Sequence, residues 1–461
     1  MLKSIKISAA QMTRQDDWRP SLYLSGGAVL RQLGGKWPCL GDMAEHIIDG
    51  WRVSHNPTAD SFNSAVMSTP LYHLRNIQPY FIETDPRHWQ TPHITGKLYC
   101  TQPHDVLIRK VGGASAALMT DIHSQHPIDA NLIIVRGLSP YEAVWVCFCL
   151  NQPLYQDYLN ESDAITILQR LGLKKLKNTP ICPMPRQFIH LAQAFLGAYG
   201  RLANAQRELT SMRKQVDEWL DGKLSGFDAC YWMQSRQCHW QFFSPRHIDD
   251  SLLINQVEQN YLRGELIGKY RFHPVSDLSE INPRQRSQLT GAADKVLQIS
   301  NITDFLTLKQ SFTDRADSRW RFQNRRLKKY DVVMSTFAEN ARVAYLHQEP
   351  EGNIYPSGQI VVFNFYRYPA AYALLMESWL IRMQLQRLAS GGGFRFIQPQ
   401  HVKKLVLPDI DPDIGAHWQQ KVVEHHERSH HAHTQLTDVL HEMTGLFFNA
   451  HKTIRTSGVT G

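Results

Sequence analysis

Apolar and small residues recur at alternating steps of three and four in two long stretches of the chain. The first runs through Phe188, Leu191, Phe195, Ala198, Leu202, Ala205, Leu209, Met212, Val216 and Trp219. The second runs through Trp418, Val422, His425, Ser429, Ala432, Leu436, Val439, Met443, Leu446 and Ala450. This is the seam of a coiled coil, which keeps one stripe of each helix turned towards a partner. Moved on by 227 positions from Leu191, the first seam falls on the second without a slip. Pro185 suits a first helical turn, and Asp221-Gly222 closes the stretch. The two helices are expected to pack on each other. His425 and Ser429, where the first helix has Ala198 and Leu202, form a polar layer that lowers stability but can set register. The first helix leads from one module into a second, and the other helix starts where that second module ends. Packed side by side, they must run antiparallel. About 33 residues at ~1.5 Å each make a rod of roughly 50 Å.

Outside the helices the pattern changes to short apolar runs of strand length. "DVLIRKV", opening at Asp105, and "NLIIVRG" precede a helical stretch through "YEAVWVCFCLNQPLYQDYL". "DVVMST", opening at Asp331, "ARVAYLHQ" and "QIVVFNFYR" precede one through "AYALLMESWLIRMQLQRLA". Strands first and a helix late predict an α+β module, and the order occurs twice. Further echoes keep order and spacing. Asn76-Ile77 answers Asn301-Ile302 and Pro183 answers Pro408, both at 225; Gly41-Asp42-Met43 answers Gly264-Glu265-Leu266 at 223. A period this long excludes a solenoid and points to a duplicated module. The fold expected is therefore α+β, with two similar domains joined and spaced by two long antiparallel coiled-coil helices in pseudo-two-fold arrangement. Its parts are residues 1–184, a helix over 185–222, residues 223–410 and a helix over 411–454.

Composition agrees with a folded protein of several domains: 461 residues, 43% hydrophobic and 20% charged. No run reaches the about eighteen apolar residues of a membrane span, and no leader-like segment opens the chain. Seven cysteines without a C-x-x-C pair read as free thiols, so a cytoplasmic location without membrane contact is expected. A net charge of +8 favours polyanionic partners.

The common catalytic motifs are missing from the sequence. There is no P-loop, no G-x-G-x-x-G after a strand, no H-E-x-x-H and no serine-hydrolase elbow. The Asn/Asp-Pro-Pro-Tyr/Phe base grip of adenine methyltransferases is absent too; "NFYR" at 364 lacks the prolines. "GGGF" at 391–394 reads as a loop leaving a helix. His425, His426, His430, His431 and His433 read as a solvated helix face rather than a metal site, so no metal ligands and no catalytic residues are assigned. Cations say more. Arg321, Arg325, Arg326, Lys328 and Lys329 cluster with aromatics and no acid in "WRFQNRRLKKY", a pattern that suits phosphate contact. Arg109 and Lys110, Lys174, Lys175 and Lys177, and Lys403 and Lys404 read equally as DNA contacts or as plain charged surface.

Two similar modules, each leaving through a proline-marked exit into a long helix, with no catalytic motif, resemble the specificity (S) subunit of type I restriction-modification enzymes. The resemblance spans nearly the whole chain. It rests on the Gly-acid-hydrophobic steps at Gly41 and Gly264 and on the "DVLI" and "DVVM" strands. His104 and Tyr330 stand where the family has a glycine before the Asp, and the second exit lacks the usual Pro-x-x-x-Gln helix start. The resemblance implies two target-recognition domains reading the two halves of a bipartite DNA target, and spacer helices between them. It implies two adenine-methyltransferase subunits and motor-nuclease subunits as partners on double-stranded DNA. S-adenosylmethionine and ATP with Mg would be bound by those partners, and none by this chain. Service to a different phage-defence or DNA-modification system, or a coiled-coil protein scaffold without DNA binding, are the other readings.

If the paired helices act as a ruler, one heptad inserted in each, after Leu209 and after Leu436, preserves the seam. It lengthens the spacer by about 10 Å, so bound sequences selected from a random duplex library should keep both half-sites and gain roughly three unread base pairs at ~3.4 Å each. A contiguous target, or an unchanged spacer in a folded insertion variant, would refute the ruler.

Overall fold

The computed structural model describes residues 30, 35, 37–50, 68–82, 87–90, 99–160, 170–228, 254–282, 294–309, 312–314, 323, 325–337, 341–389 and 395–457. Arg321 and residues 391–394 lie outside them. The chain divides into two compact units, one of residues 1–204 with 431–461 and one of 205–430.

In the first unit a short helix α1 (Leu40–Met43) leads to strand β1 (His46–Asp49), followed by the pair β2 (Ser68–Leu71) and β3 (Arg87–Gln90). Strands β4 (Val106–Arg109), β5 (Ala116–Leu118) and β6 (Leu132–Arg136) complete an antiparallel sheet of order β1-β6-β4-β5. Its central strands are apolar on both faces because both are covered. Val106, Ile108, Ile133 and Val135 pack towards helix α2 (Pro140–Leu150), while Leu107, Leu132 and Ile134 join Tyr72, Ile77 and Ile82 on the other side. Helix α2 starts where Ser139 accepts the Glu142 N–H and Glu142 reaches back to the Ser139 N–H, with Pro140 in the first turn. Helices α3 (Pro153–Asn160) and α4 (Leu173–Lys177) lead to the long helix α5 (Phe188–Lys223).

The second unit opens with α6 (Ile254–Gly268), then β7 (His273–Pro274), α7 (Val275–Leu278), β8 (Ser279–Ile281), β9 (Asp294–Leu297) and β10 (Thr313–Asp314). Strands β11 (Val332–Ser335), β12 (Val343–Tyr345), β13 (Asn353–Pro356) and β14 (Ile360–Phe365) follow. After them come α8 (Pro369–Leu375), α9 (Trp379–Leu388), β15 (Val406–Leu407) and the C-terminal helix α10 (Pro412–Ser457). The main sheet has the order β8-β14-β11-β12, the same as in the first unit strand for strand. The register is repeated as well. Val106 faces Val135 and Leu118; Val332, at its place in the second copy, faces Phe363 and Tyr345.

The repeats found in the sequence have a physical content. Asn76 accepts the His73 N–H through its side chain at 2.7 Å, and Asn301 accepts the Gln298 N–H at 2.8 Å, each closing a single helical turn. One correspondence is corrected. Gly264-Glu265-Leu266 lies inside α6, whereas Gly41-Asp42-Met43 lies in α1. The structural counterpart of α1 is α7, since the Leu40 N–H bonds the Thr179 carbonyl just as the Val275 N–H bonds that of Leu405. Each short helix then delivers the chain to the edge strand of its sheet.

The long helices run antiparallel in each unit. In the first, Arg201 bonds Gln435 at 2.6 Å, while Phe188 and Phe447 both pack on Trp145. In the second, Glu208 pairs with Arg428 at 2.7 Å, Trp219 meets Trp418, and Lys223 reaches Asp411 at 3.0 Å. Gly415, in the first turn of α10, admits the ring of Tyr368 where a Cβ would lie only 2.5 Å away. Each module also grips one helix. The Tyr199 hydroxyl on α5 accepts the Ile82 N–H at 2.8 Å and donates to the Leu118 carbonyl at 3.1 Å. Its counterpart 227 positions on, His426 of α10, packs edge-on against Tyr345, the counterpart of Leu118. On α5, Arg213 binds the buried carboxylate of Glu377 at 2.7 Å and also the Asp304 carbonyl.

The expectation of a solvated histidine face is corrected for His425 and His426, which are buried. The His425 ring lies between the carbonyls of Ala205, at 3.0 Å, and Phe305, at 3.3 Å. A neutral imidazole carries one N–H and satisfies one of the two at a time. His430, His431 and His433 are exposed, as expected.

Burial holds His425 at about 4 and His426 at about 3, against an ordinary value near 6.5. Between these values the unfolded chain binds protons that the folded one refuses. Stability is therefore complete above pH 6.5 and falls as the pH drops towards 4, by about 1.4 kcal/mol per pH unit for each histidine still neutral in the fold. Urea midpoints at pH 7 and pH 5 check this. The His426→Phe variant should lose part of the acid slope.

Candidate nucleic-acid interface

The turn that feeds the central strand β11 is built around a buried carboxylate. One oxygen of Asp331 accepts the guanidinium of Arg325 at 2.7 Å, and the other accepts the Lys328 N–H at 2.8 Å. The Asp331 N–H closes the turn on the Lys328 carbonyl. Burial raises the Asp331 pKa, opposed by Arg325 and the Lys328 N–H. Between Lys328 and Asp331 the chain puts Lys329 and Tyr330 into solvent, with the Lys329 ammonium 4.8 Å from the centre of the Tyr330 ring. Arg326 is half-buried, 3.8 Å from Glu349, which also accepts the Lys329 N–H.

The first module repeats this turn before β4. Asp105 accepts the Gln102 N–H at 2.7 Å and two bonds from Arg136, at 2.7 and 3.0 Å. The hydrogen bond to Asp105 raises the pKa of Arg136. His104 and Tyr330, the positions where the resembled family has glycine, are both in the left-handed region, at φ 66° and 72°. This is backbone that suits a glycine, and in both turns a ring-bearing residue adopts it.

The other cations expected at the surface are placed unevenly. Lys110 and Arg325 are buried. Lys110 pairs with Asp49 and donates to the Ala130 carbonyl, and Arg325 pairs with Asp331, so both charges are used inside their modules. A run of basic residues cannot show that an acid distant in sequence neutralises one of them. Lys174 and Lys177 on α4 are exposed; Lys175 is half-buried, with its ammonium over the Tyr158 ring at 5.3 Å. Arg109 is half-buried, with no hydrogen-bond partner for its Nε among the described residues. Lys403 is exposed and Lys404 half-buried in a six-residue 3₁₀ helix (Pro399–Lys404) before β15. Sequence reasoning missed Arg170, which is exposed and lines a cleft with Asp49, Gly50, Lys110 and Leu173. It also passed over Tyr330 as a side chain in its own right. The one signal was the missing glycine.

Lys328, Lys329 and Tyr330 thus offer two cations and an aromatic face on a rigid turn, which suits an anionic, stackable ligand. Arg325→Ala, by leaving Asp331 buried without its cation, should cost roughly 3–5 kcal/mol of stability. Arg326→Ala should cost less than ~1 kcal/mol, as its pair with Glu349 is partly exposed. Chemical denaturation of the two variants beside the parent tests the division.

No protein-family model and no characterised protein matches the chain by sequence. Among solved structures, the chain is similar to the S subunit of a type I restriction-modification system from M. genitalium. Identity is 10% over 88% of this chain and 94% of that one, with a TM-score of 0.36. It is similar to the HsdS subunit from Thermoanaerobacter tengcongensis at 12% identity, over 90% and 96% of the two chains, with a TM-score of 0.27. A chain from a structure of the assembly and conformational transition of the type I R-M system matches at 12% identity, over 91% and 96%, with a TM-score of 0.26.

Proposed function

We propose that this chain is a DNA-reading subunit whose two modules each contact one half of a bipartite duplex target. The observation that carries the reading is the depth of the duplication. The sheet order, the register of the central strand and the buried-carboxylate turn occur twice, and each module holds one long helix. A chain with two copies of one reader suits a target with two half-sites, as dimeric readers suit palindromes. The exposed cations Lys174, Lys328, Lys329 and Lys403, with Arg109, Arg321, Arg326, Lys175 and Lys404, are the proposed contacts. Residues 1–184 and 223–410 are the proposed target-recognition domains, with spacer helices over 185–222 and 411–454. On this reading the chain catalyses nothing itself. Adenine-methyltransferase and motor-nuclease subunits of a type I restriction-modification complex supply the S-adenosylmethionine and ATP chemistry.

The purified full chain should bind duplex DNA with an affinity that falls steeply with salt, the log–log slope being about −0.9 per phosphate neutralised. Sequences selected from a random duplex library should show two conserved blocks with unread bases between them. Salt-independent or absent duplex binding would favour the protein scaffold instead, and a single conserved block would remove the bipartite reading. Methylation or cleavage by the chain alone, abolished by a substitution within it, would refute the non-catalytic role.

A further inference from the structure

A left-handed backbone costs stability for any residue with a Cβ, and a bulky one adopts it rarely. Among the described residues two pairs of repeat-related positions do so: Tyr80 with Leu306, and His104 with Tyr330. The first pair has a structural reason. Leu306 is completely buried, and Tyr80 stacks on Phe148 and takes a hydrogen bond from Gln152. Core packing offsets the strain at both. Tyr330 gains far less, being 50% exposed and lying outside the core clusters, with the Lys329 ammonium over its ring. A glycine there would relax the turn, and the bonds that hold it run from Arg325 and the Lys328 N–H to Asp331 without using the Tyr330 side chain. The strained ring is kept for something outside the fold. Lys328 and Lys329 are exposed beside it, and Lys329 already lies over its face.

We propose that Tyr330 is an aromatic contact of the second module with DNA. Its ring packs on a deoxyribose or wedges into a base step of the bound duplex, and the ammonium groups of Lys328 and Lys329 take the flanking phosphates. Positive charge directs the backbone to the turn, and the ring supplies a contact that salt does not screen. The buried Arg325–Asp331 pair keeps the turn rigid, so binding need not order it. The inference rests on the DNA-reading function proposed above and names the residue through which the second module would act.

The test is Tyr330→Gly in the full chain, with Tyr330→Phe and the double variant Lys328→Ala/Lys329→Ala beside it. Affinity for random-sequence duplex DNA is measured by fluorescence anisotropy over a range of salt, and stability by thermal denaturation. Tyr330→Gly should unfold at the same temperature as the parent or higher, so a loss of binding does not reflect a loss of fold. Its affinity should fall roughly tenfold with an unchanged salt slope, the scale of one base–aromatic stack. Tyr330→Phe should bind as the parent does. The lysine pair should lower the magnitude of the slope by about two. Parent-like affinity in Tyr330→Gly overturns the aromatic contact and leaves the DNA-reading function standing. A weakened affinity with a shallower slope also overturns it, assigning Tyr330 the lesser task of arranging the lysines. A parent chain that binds heparin or duplex RNA but no duplex DNA fails the DNA-reading function itself, and the contact with it.

Discussion

Each module is organised around a carboxylate that it buries at the start of its central strand. An ionised group removed from water needs a cation and N–H donors in fixed positions, and leaving either out costs several kcal/mol. Asp105 and Asp331 meet this demand with the same turn and the same backbone donor, three residues before each. With the carboxylate fixed, the turn is fixed. With the turn fixed, the strand starts in one register, because a slip of one residue would exchange the Val106 and Leu107 faces of a sheet covered on both sides. The candidate contact surface of the second module is the outer side of that turn.

The two copies agree in backbone and differ in the side chains that complete it. Arg136 reaches Asp105 from the end of β6, while Arg325 reaches Asp331 from the loop before the turn. The cation must be present, but the chain can deliver it from anywhere nearby. The helix anchors differ in the same way. Tyr199 satisfies a donor and an acceptor of the first module with one hydroxyl, whereas the ring of His426 fills the corresponding space in the second. Its Nε2 has no hydrogen-bond partner among the described residues. A duplicated fold tolerates such drift because backbone geometry is set by many weak constraints and each side chain by few.

Much of this was legible in the sequence where a physical period or a capping chemistry writes a pattern. The heptads gave the long helices and their pairing, since a seam of alternating three and four steps has few other uses, and the order of modules and helices along the chain gave the antiparallel run seen within each unit. The Asn76 and Asn301 echoes were legible because a side chain that caps a turn can be replaced by few others. The Gly-acid-hydrophobic match failed for the converse reason. Such a triplet is as compatible with the interior of α6 as with α1, and the counterpart of Asp42 is Asp277 of α7, where Ser276 in place of the glycine removed the cue. The burial of Lys110 was equally hidden, because its partner Asp49 lies 61 residues away. Arg325 stood only six residues from its partner. There the cluster of cations around it suggested a surface, and nothing in the spacing said which member turns inwards.

His425 shows how a polar seam residue earns its position. As a break in an apolar stripe it reads as a defect. In place, its ring touches the Ala205 carbonyl of the opposing helix and the Phe305 carbonyl of the module. A neutral ring donates to one of these carbonyls at a time, and it can reach either only at one register, since moving α10 by a single turn would shift the ring by about 5.4 Å. The apolar layers above and below, Val422 and Ala432, are far less selective, because neighbouring layers of similar size can replace one another. The helix pair therefore takes its strength from the apolar layers and its register from the polar one. The burial that makes His425 selective also keeps it neutral, so its register contact is made without a buried charge near neutral pH.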